Sequence, residues 1–149
     1  MRFDVTHLTR DLIEKYSSIQ TGDKIDDLII QIAGRIVTKR EHGKSCFAHI
    51  QDSSGKMQIY IKLDEVGEEK FNEFKKTIIG EIIWVKGNIF KTHTGELTIK
   101  TKEFVLIAKA LKPIPEKWHG LKDIETRYRQ RYLDLIANPE AKAIALKRI

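Results

Sequence analysis

The spacing of apolar residues changes period several times along the chain. Leu8, Leu12, Ile13 and Tyr16 fall near helical spacing, and Thr9 is placed to cap the short helix they predict, which ends before SSIQTGD. From Leu28 to Val37 the chain is rich in Ile and Val, with Gly34 interrupting. That reads as a long first strand with a bend or bulge. KREHGKS is a turn around Gly43, and SCFAHIQDSSGKMQIYI (45–61) then alternates as a hairpin around SSG. Cys46, Ala48 and Ile50 share one parity and Phe47, His49 and Gln51 the other; after the turn Met57, Ile59 and Ile61 alternate with Gln58, Tyr60 and Lys62. Phe47 therefore stands on the polar side, where a large ring has little to gain from water.

Residues 64–78 switch to helical spacing, with Val66, Phe71, Phe74 and Ile78 on one side and Gly80 placed to end the helix. EIIWVKGNIFK is a fourth strand, THTG a tight turn and ELTIKTKEFVLIAKA a fifth. The fold class expected is mainly β. It is an OB-fold, a five-stranded Greek-key barrel with a helix between strands 3 and 4, an N-terminal helix and C-terminal helical segments. SH3-like barrels also use five short strands; the inserted helix favours the OB-fold. KPIPEKWHG cannot continue a strand or helix through its two prolines. DIETRYRQRYLDLIA then reads as one helix with Asp123 as N-cap, and PEAKAIALKRI begins another with Pro139 in its first turn. The expected division is 1–111 for the N-terminal helix and barrel, 112–122 for a linker and 123–149 for the start of a further domain. That last segment has nothing to pack against, which is expected of a piece of a larger protein.

Composition narrows the function. At 149 residues, 41% hydrophobic and 32% charged, the chain holds one ordinary domain plus attached structure and is not disordered. No apolar run approaches the roughly 20 residues that span a bilayer, and MRFDVTHLTRD lacks a signal-peptide core, so no membrane association is expected. One cysteine excludes an internal disulfide and fits a reducing compartment, and five scattered histidines offer no metal-ligand spacing. The net charge of +6 is sorted: residues 109–149 carry ten Lys/Arg against five Asp/Glu, and residues 1–108 carry 17 against 16. Within that neutral part, 35–62 holds Arg35, Lys39, Arg40, Lys44, Lys56 and Lys62 against Glu41 and Asp52, and 86–102 holds four lysines against Glu96. The sorting points to an anion-binding face.

OB-folds bind single strands on the outer face of strands 2 and 3, where bases stack on rings. Phe47 is either such a platform or a ring packed under the N-terminal helix. Gln58 shares its outward parity and its amide suits a base edge. Arg40 offers a rigid fork for phosphate or base, and Glu96, the one acid among lysines, suits acceptance from a base N–H. Taken singly, Gln58, Arg40 and Glu96 also read as solvated surface groups. His49, Tyr60, Lys39 and Lys56 are further candidate contacts; His42 and His93 read as solvated turn residues, and Trp84 as packing residue or platform. No nucleophile–base pair, carboxylate dyad or phosphate-cradling glycine loop is visible, so no catalytic residue is expected.

The run WHGLKDIETRYRQRYLDLIANPE (118–140) closely resembles the junction between the anticodon-binding and catalytic domains of class II lysyl-tRNA synthetases. IAGRI, FAHIQDSSGKMQIY and FKTHTGELTI resemble that family in the same order, and the resemblance runs from about Phe3 to the end. Aspartyl and asparaginyl enzymes share the OB-fold and a related RYLDL; the fuller RYRQRYLDL and KTHTGEL favour the lysyl type. The resemblance implies that Phe47 stacks the central uridine of the lysine anticodon, that Gln58 reads its edge, and that Arg40 and Glu96 are anticodon readers. It also implies a tRNA-Lys partner, a cytoplasmic location, and a parent enzyme that uses ATP and Mg2+ and dimerises through its catalytic domain. PEAKAIALKRI resembles only the opening of the first class II motif; the motifs that hold ATP, Mg2+ and the aminoacyl-adenylate are absent, so no cofactor and no lysine activation are expected of this span. Two rivals stay open, a free-standing single-strand-binding module without sequence preference and a protein-interaction OB module.

Overall fold

The computed structural model describes residues 3–114 and 121–148. The chain divides into two compact units, Met1–Leu111 and Lys112–Ile149. Residues 115–120 lie outside the described residues. The expected linker 112–122 falls partly on them, as do Trp118, His119 and Gly120 at the head of the resembling run.

The first unit contains α1 (Thr9–Tyr16), β1 (Lys24–His42), β2 (Ser45–Gln51), β3 (Lys56–Lys62), α2 (Leu63–Val66), α3 (Glu68–Lys75), β4 (Ile82–Lys91) and β5 (Leu97–Ala108). The strands run in the order β1-β2-β3-β5-β4, and β4 pairs back onto β1, so the sheet closes into a barrel. All pairs are antiparallel except β3 with β5. Closure removes the exposed sheet edges that would otherwise template association. Alternation decides the interior. Ile30, Ile32 and Ile36 of β1, Cys46, Ala48 and Ile50 of β2, and Met57, Ile59 and Ile61 of β3 are buried, with Ile83, Val85 and Ile89 of β4 and Ile99 and Phe104 of β5. Phe71 and Phe74 of α3 close this core, Phe74 meeting Phe104 edge to face at 5.5 Å.

Several local expectations are corrected. β1 is longer than 28–37, and its irregularities lie between Ile25 and Ile30 on the β4 side and between Ile36 and Thr38 on the β2 side, not at Gly34. Gly34 is instead a close approach, because a Cβ there would stand 2.8 Å from the Gln51 carbonyl oxygen. The helix expected over 64–78 is two helices, split at Gly67, whose φ of 86° is open to glycine and costly for other residues. Ile78 lies beyond them and is exposed. Thr9 does not cap α1 with its own side chain. Its N–H and hydroxyl both donate to the Asp52 carboxylate in the β2–β3 turn, at 2.8 and 2.9 Å. Ser54 and Gly55 N–H groups donate to the same carboxylate. Burial opposes ionisation of Asp52, but the bonds from Thr9, Ser54 and Gly55 outweigh it and hold its carboxyl below the usual range.

The second unit contains α4 (Ile124–Arg129), α5 (Arg131–Ala137) and α6 (Pro139–Leu146). Asp123 caps α4 as expected, accepting from the Thr126 N–H at 2.9 Å. The single helix expected over 123–137 breaks at Gln130. Beyond the break, buried Asp134 accepts from Asn138 Nδ2 at 2.5 Å, Arg127 Nε at 2.8 Å and an Arg131 guanidinium nitrogen at 2.7 Å. These three donors lower its pKa, with Asn138 foremost. The RYRQRYLDL run thus folds around its own aspartate.

Candidate nucleic-acid interface

With Cys46, Ala48 and Ile50 in the core, strand geometry turns Phe47, His49 and Gln51 to the outer face. The ladders line their neighbours up in two rows. One is Arg40, Phe47, Tyr60 and Lys100; the other is Thr38, His49, Gln58, Thr98 and Phe90.

The first row carries two rings, Phe47 and Tyr60, and the second row adds Phe90. Phe47 and Tyr60 lie 4.7 Å apart between centroids, tilted by 37°, and Phe90 meets Tyr60 edge-on at 5.9 Å. His42 stands edge-on to Phe47 at 6.4 Å. These separations suit favourable aromatic pairs. Phe47 is only half-buried, so the cluster keeps a ring at the surface. The alternative that Phe47 packs beneath α1 is not what the ring contacts describe. Arg40, directly across from Phe47, is exposed and has no ion-pair partner among the described residues.

The second row carries directional polar groups. His49 Nε2 lies 2.5 Å from Glu96 Oε1, and its Nδ1 lies 2.7 Å from the Thr38 hydroxyl. Contact with a carboxylate requires a proton on Nε2, so His49 donates and Glu96 accepts. Glu96 precedes β5 in the turn, held there by its N–H bond to the Thr92 hydroxyl at 3.1 Å. Gln58 shares the outward parity but is 4% exposed, enclosed by its neighbours instead of solvated. Its Oε1 accepts from the Thr98 hydroxyl at 2.8 Å.

The remaining candidates separate. Tyr60 and His49 join the rows. Lys56 is exposed at the start of β3, opposite Gln51 and outside both rows. Lys39 turns away. Its ammonium donates to the carbonyls of Phe74, Lys75 and Thr77 at 2.7–2.9 Å and lies 3.4 Å from Glu41. It closes the C-terminal end of α3, where orphan carbonyls favour a cation. Trp84 is a packing residue, its Nε1 donating to the Asp4 carbonyl at 2.9 Å beside the Phe3 ring. His93 is exposed in a turn.

Sequence reasoning passed over Phe90, Thr98, Lys100 and Thr38, and it placed His42 in the turn, whereas His42 is exposed at the end of β1 beside Phe47. Parity could have found Phe90, which is out of phase with the core residues Ile83, Val85 and Ile89. The other three depend on register and had no local signal. Lys100 is bonded to Glu65 of α2 at 2.6 Å, and this bond, foremost, lowers the Glu65 pKa. Among the described residues no group of three or more His, Cys, Asp or Glu is placed to hold a metal ion.

Residues 30–107 match a tRNA anti-codon family described as the OB-fold nucleic acid binding domain. The chain is also similar to proteins called lysine--tRNA ligase. It is 48% identical over 149 residues to that of Lysinibacillus sphaericus (strain C3-41), covering 99% of this chain and 30% of the relative. Against that of Bacillus subtilis (strain 168) it is 48% identical over 143 residues, 95% of this chain and 28% of the relative. Against that of Aquifex aeolicus (strain VF5) it is 58% identical over 120 residues, 80% of this chain and 20% of the relative. The chain thus spans less than a third of the length of these relatives.

Proposed function

This chain belongs to the family of OB-fold nucleic acid binding domains, and from that premise we propose that it is the anticodon-binding domain of a lysyl-tRNA synthetase, reading the uridine-rich anticodon of tRNA-Lys. The observation that carries the reading is the partly exposed Phe47 ring, backed by Tyr60 and flanked by Arg40, with donors and acceptors in the adjoining row. A base laid on Phe47 gains stacking from the ring face, which every base offers equally. Discrimination then comes from the edge: Gln58 and Glu96 present amide and carboxylate groups next to that surface. Arg40 is a planar fork beside the ring, suited to a phosphate or a second edge.

On this reading the whole protein joins lysine to tRNA-Lys with ATP and Mg2+, works in the cytoplasm and pairs with a second copy through its catalytic domain. The residues described here supply tRNA recognition and no chemistry of activation. Residues 112–122 serve as the connection, and 123–149 begin the next domain. No described helix is long and apolar enough to cross a membrane.

The test is binding to lysine anticodon stem-loops whose central uridine is kept or replaced. Tighter binding to the uridine loop is expected. Equal affinities would sink the anticodon reading and leave a single-strand module without sequence preference.

A further inference from the structure

We propose that Thr98 is a positioning residue that fixes which end of the Gln58 amide meets a bound base. By holding the carbonyl oxygen, it turns the NH2 outward, so the site selects a base edge that presents an acceptor opposite Gln58. Uracil does so at O4; cytosine places an amino group at the equivalent position. The inference rests on the reading of Gln58 as a base contact and gives that contact a direction.

Thr98 and Gln58 are direct partners in the parallel β3–β5 ladder, 0% and 4% exposed. Both are too enclosed for the amide to be oriented by bulk solvent. A threonine hydroxyl has one proton, and β-branching restricts where its oxygen can point. Two acceptors lie within reach of it, Gln58 Oε1 at 2.8 Å and the Glu96 carbonyl at 3.2 Å. The shorter bond goes to Gln58. His49, the other cross-strand neighbour of Gln58, has both ring nitrogens engaged, by Thr38 and by Glu96. Nothing else among the described residues bonds the amide, and its nitrogen is not among the fully enclosed unpartnered atoms. That nitrogen is therefore the donor a ligand meets. Were the Thr98 proton given to the Glu96 carbonyl instead, the amide would flip, its oxygen would face outward and the preference would turn to cytosine.

The experiment measures affinities of the 149-residue chain for two stem-loops differing only in uridine or cytidine at the central loop position. The chain is used unaltered and as Thr98→Val, Thr98→Ser and Gln58→Glu. The unaltered chain is expected to favour uridine. Thr98→Val should still bind, but its uridine-to-cytidine ratio should fall about fivefold, the worth of one hydrogen bond. Thr98→Ser should restore the ratio. Gln58→Glu keeps an acceptor for Thr98 and presents an oxygen outward, so it should shift preference towards cytidine, and it serves if the valine variant does not fold. An undiminished ratio in Thr98→Val, an equal loss for both loops, or a Gln58→Glu variant that still prefers uridine overturns the inference. So does a cytidine preference in the unaltered chain. Equal binding of both loops by the unaltered chain would instead bring down the base reading itself.

Discussion

Phe47 shows how far one position can be read without coordinates. Alternation alone puts it on the outer face, because Cys46, Ala48 and Ile50 occupy the core parity. What alternation could not supply is the support behind it: Tyr60 at 4.7 Å comes from the next strand, and Phe90 from a strand 30 residues further on in the chain. Replacing Phe47 with Ala is expected to weaken stem-loop binding by about 1–3 kcal/mol, the worth of one stacked base. It also removes a ring pair worth about 0.5–1.5 kcal/mol, so the melting temperature should fall only slightly. A large fall in melting temperature with RNA affinity intact would make Phe47 a packing residue. Lys39 shows the opposite limit. Its partners are carbonyls 35 to 38 residues away, and only the fold reveals that this cation is already engaged.

At the scale of elements, the succession of strands and helices was readable from changes of period, and the core parity of β2 from its clean alternation. Breaks in the helices were not, because the 63–75 and 123–137 segments keep apolar spacing across Gly67 and Gln130. The anchoring of α1 was also hidden, since its carboxylate comes from a turn more than 40 residues later. Asp52→Asn is expected to cost about 1 kcal/mol at neutral pH, as for loss of a charged group at a helix N-terminus. Because the folded chain holds this carboxyl below its ordinary value of about 3.9, the stabilisation is fully present above that value. It disappears as pH falls through the folded pKa. Denaturant unfolding of the two chains from about pH 6 to about pH 2 should therefore show a constant gap that closes at the acid end. A gap that widened with acid would contradict the assignment. The β4–β5 contact predicts a harsher outcome. A Cβ on Gly87 would stand 2.0 Å from the Lys100 carbonyl oxygen, and backbone on both sides leaves no flexible atom to yield. Gly87→Ala should cost several kcal/mol or abolish folding, read by loss of the thermal transition.

At the scale of the whole molecule, net charge overstates what an RNA would meet on the barrel. Of the six cations in 35–62, Arg35 donates to the Gly80 carbonyl, Lys39 closes α3 and Lys62 pairs with Asp64. Arg40, Lys44 and Lys56 have no ion-pair partner among the described residues. On β4 and β5, Lys86 pairs with Glu103, Lys91 donates to the Ser17 and Ile19 carbonyls and Lys100 pairs with Glu65. On the proposed function, about three to four phosphates would thus be neutralised at the barrel, not the nine or ten a census of basic residues suggests. For single-stranded RNA each neutralised phosphate adds about −0.7 to the slope of log affinity against log salt. Residues 1–111 alone should give a slope near −2 to −3 with an anticodon loop. The 149-residue chain should be steeper only to the extent that the basic segment 109–149 also touches the RNA. Titrations of both lengths across a range of salt concentrations decide this. A slope near zero for 1–111 would mean that the ring-bearing face contacts something other than a phosphate backbone, and a protein partner would then be the better occupant.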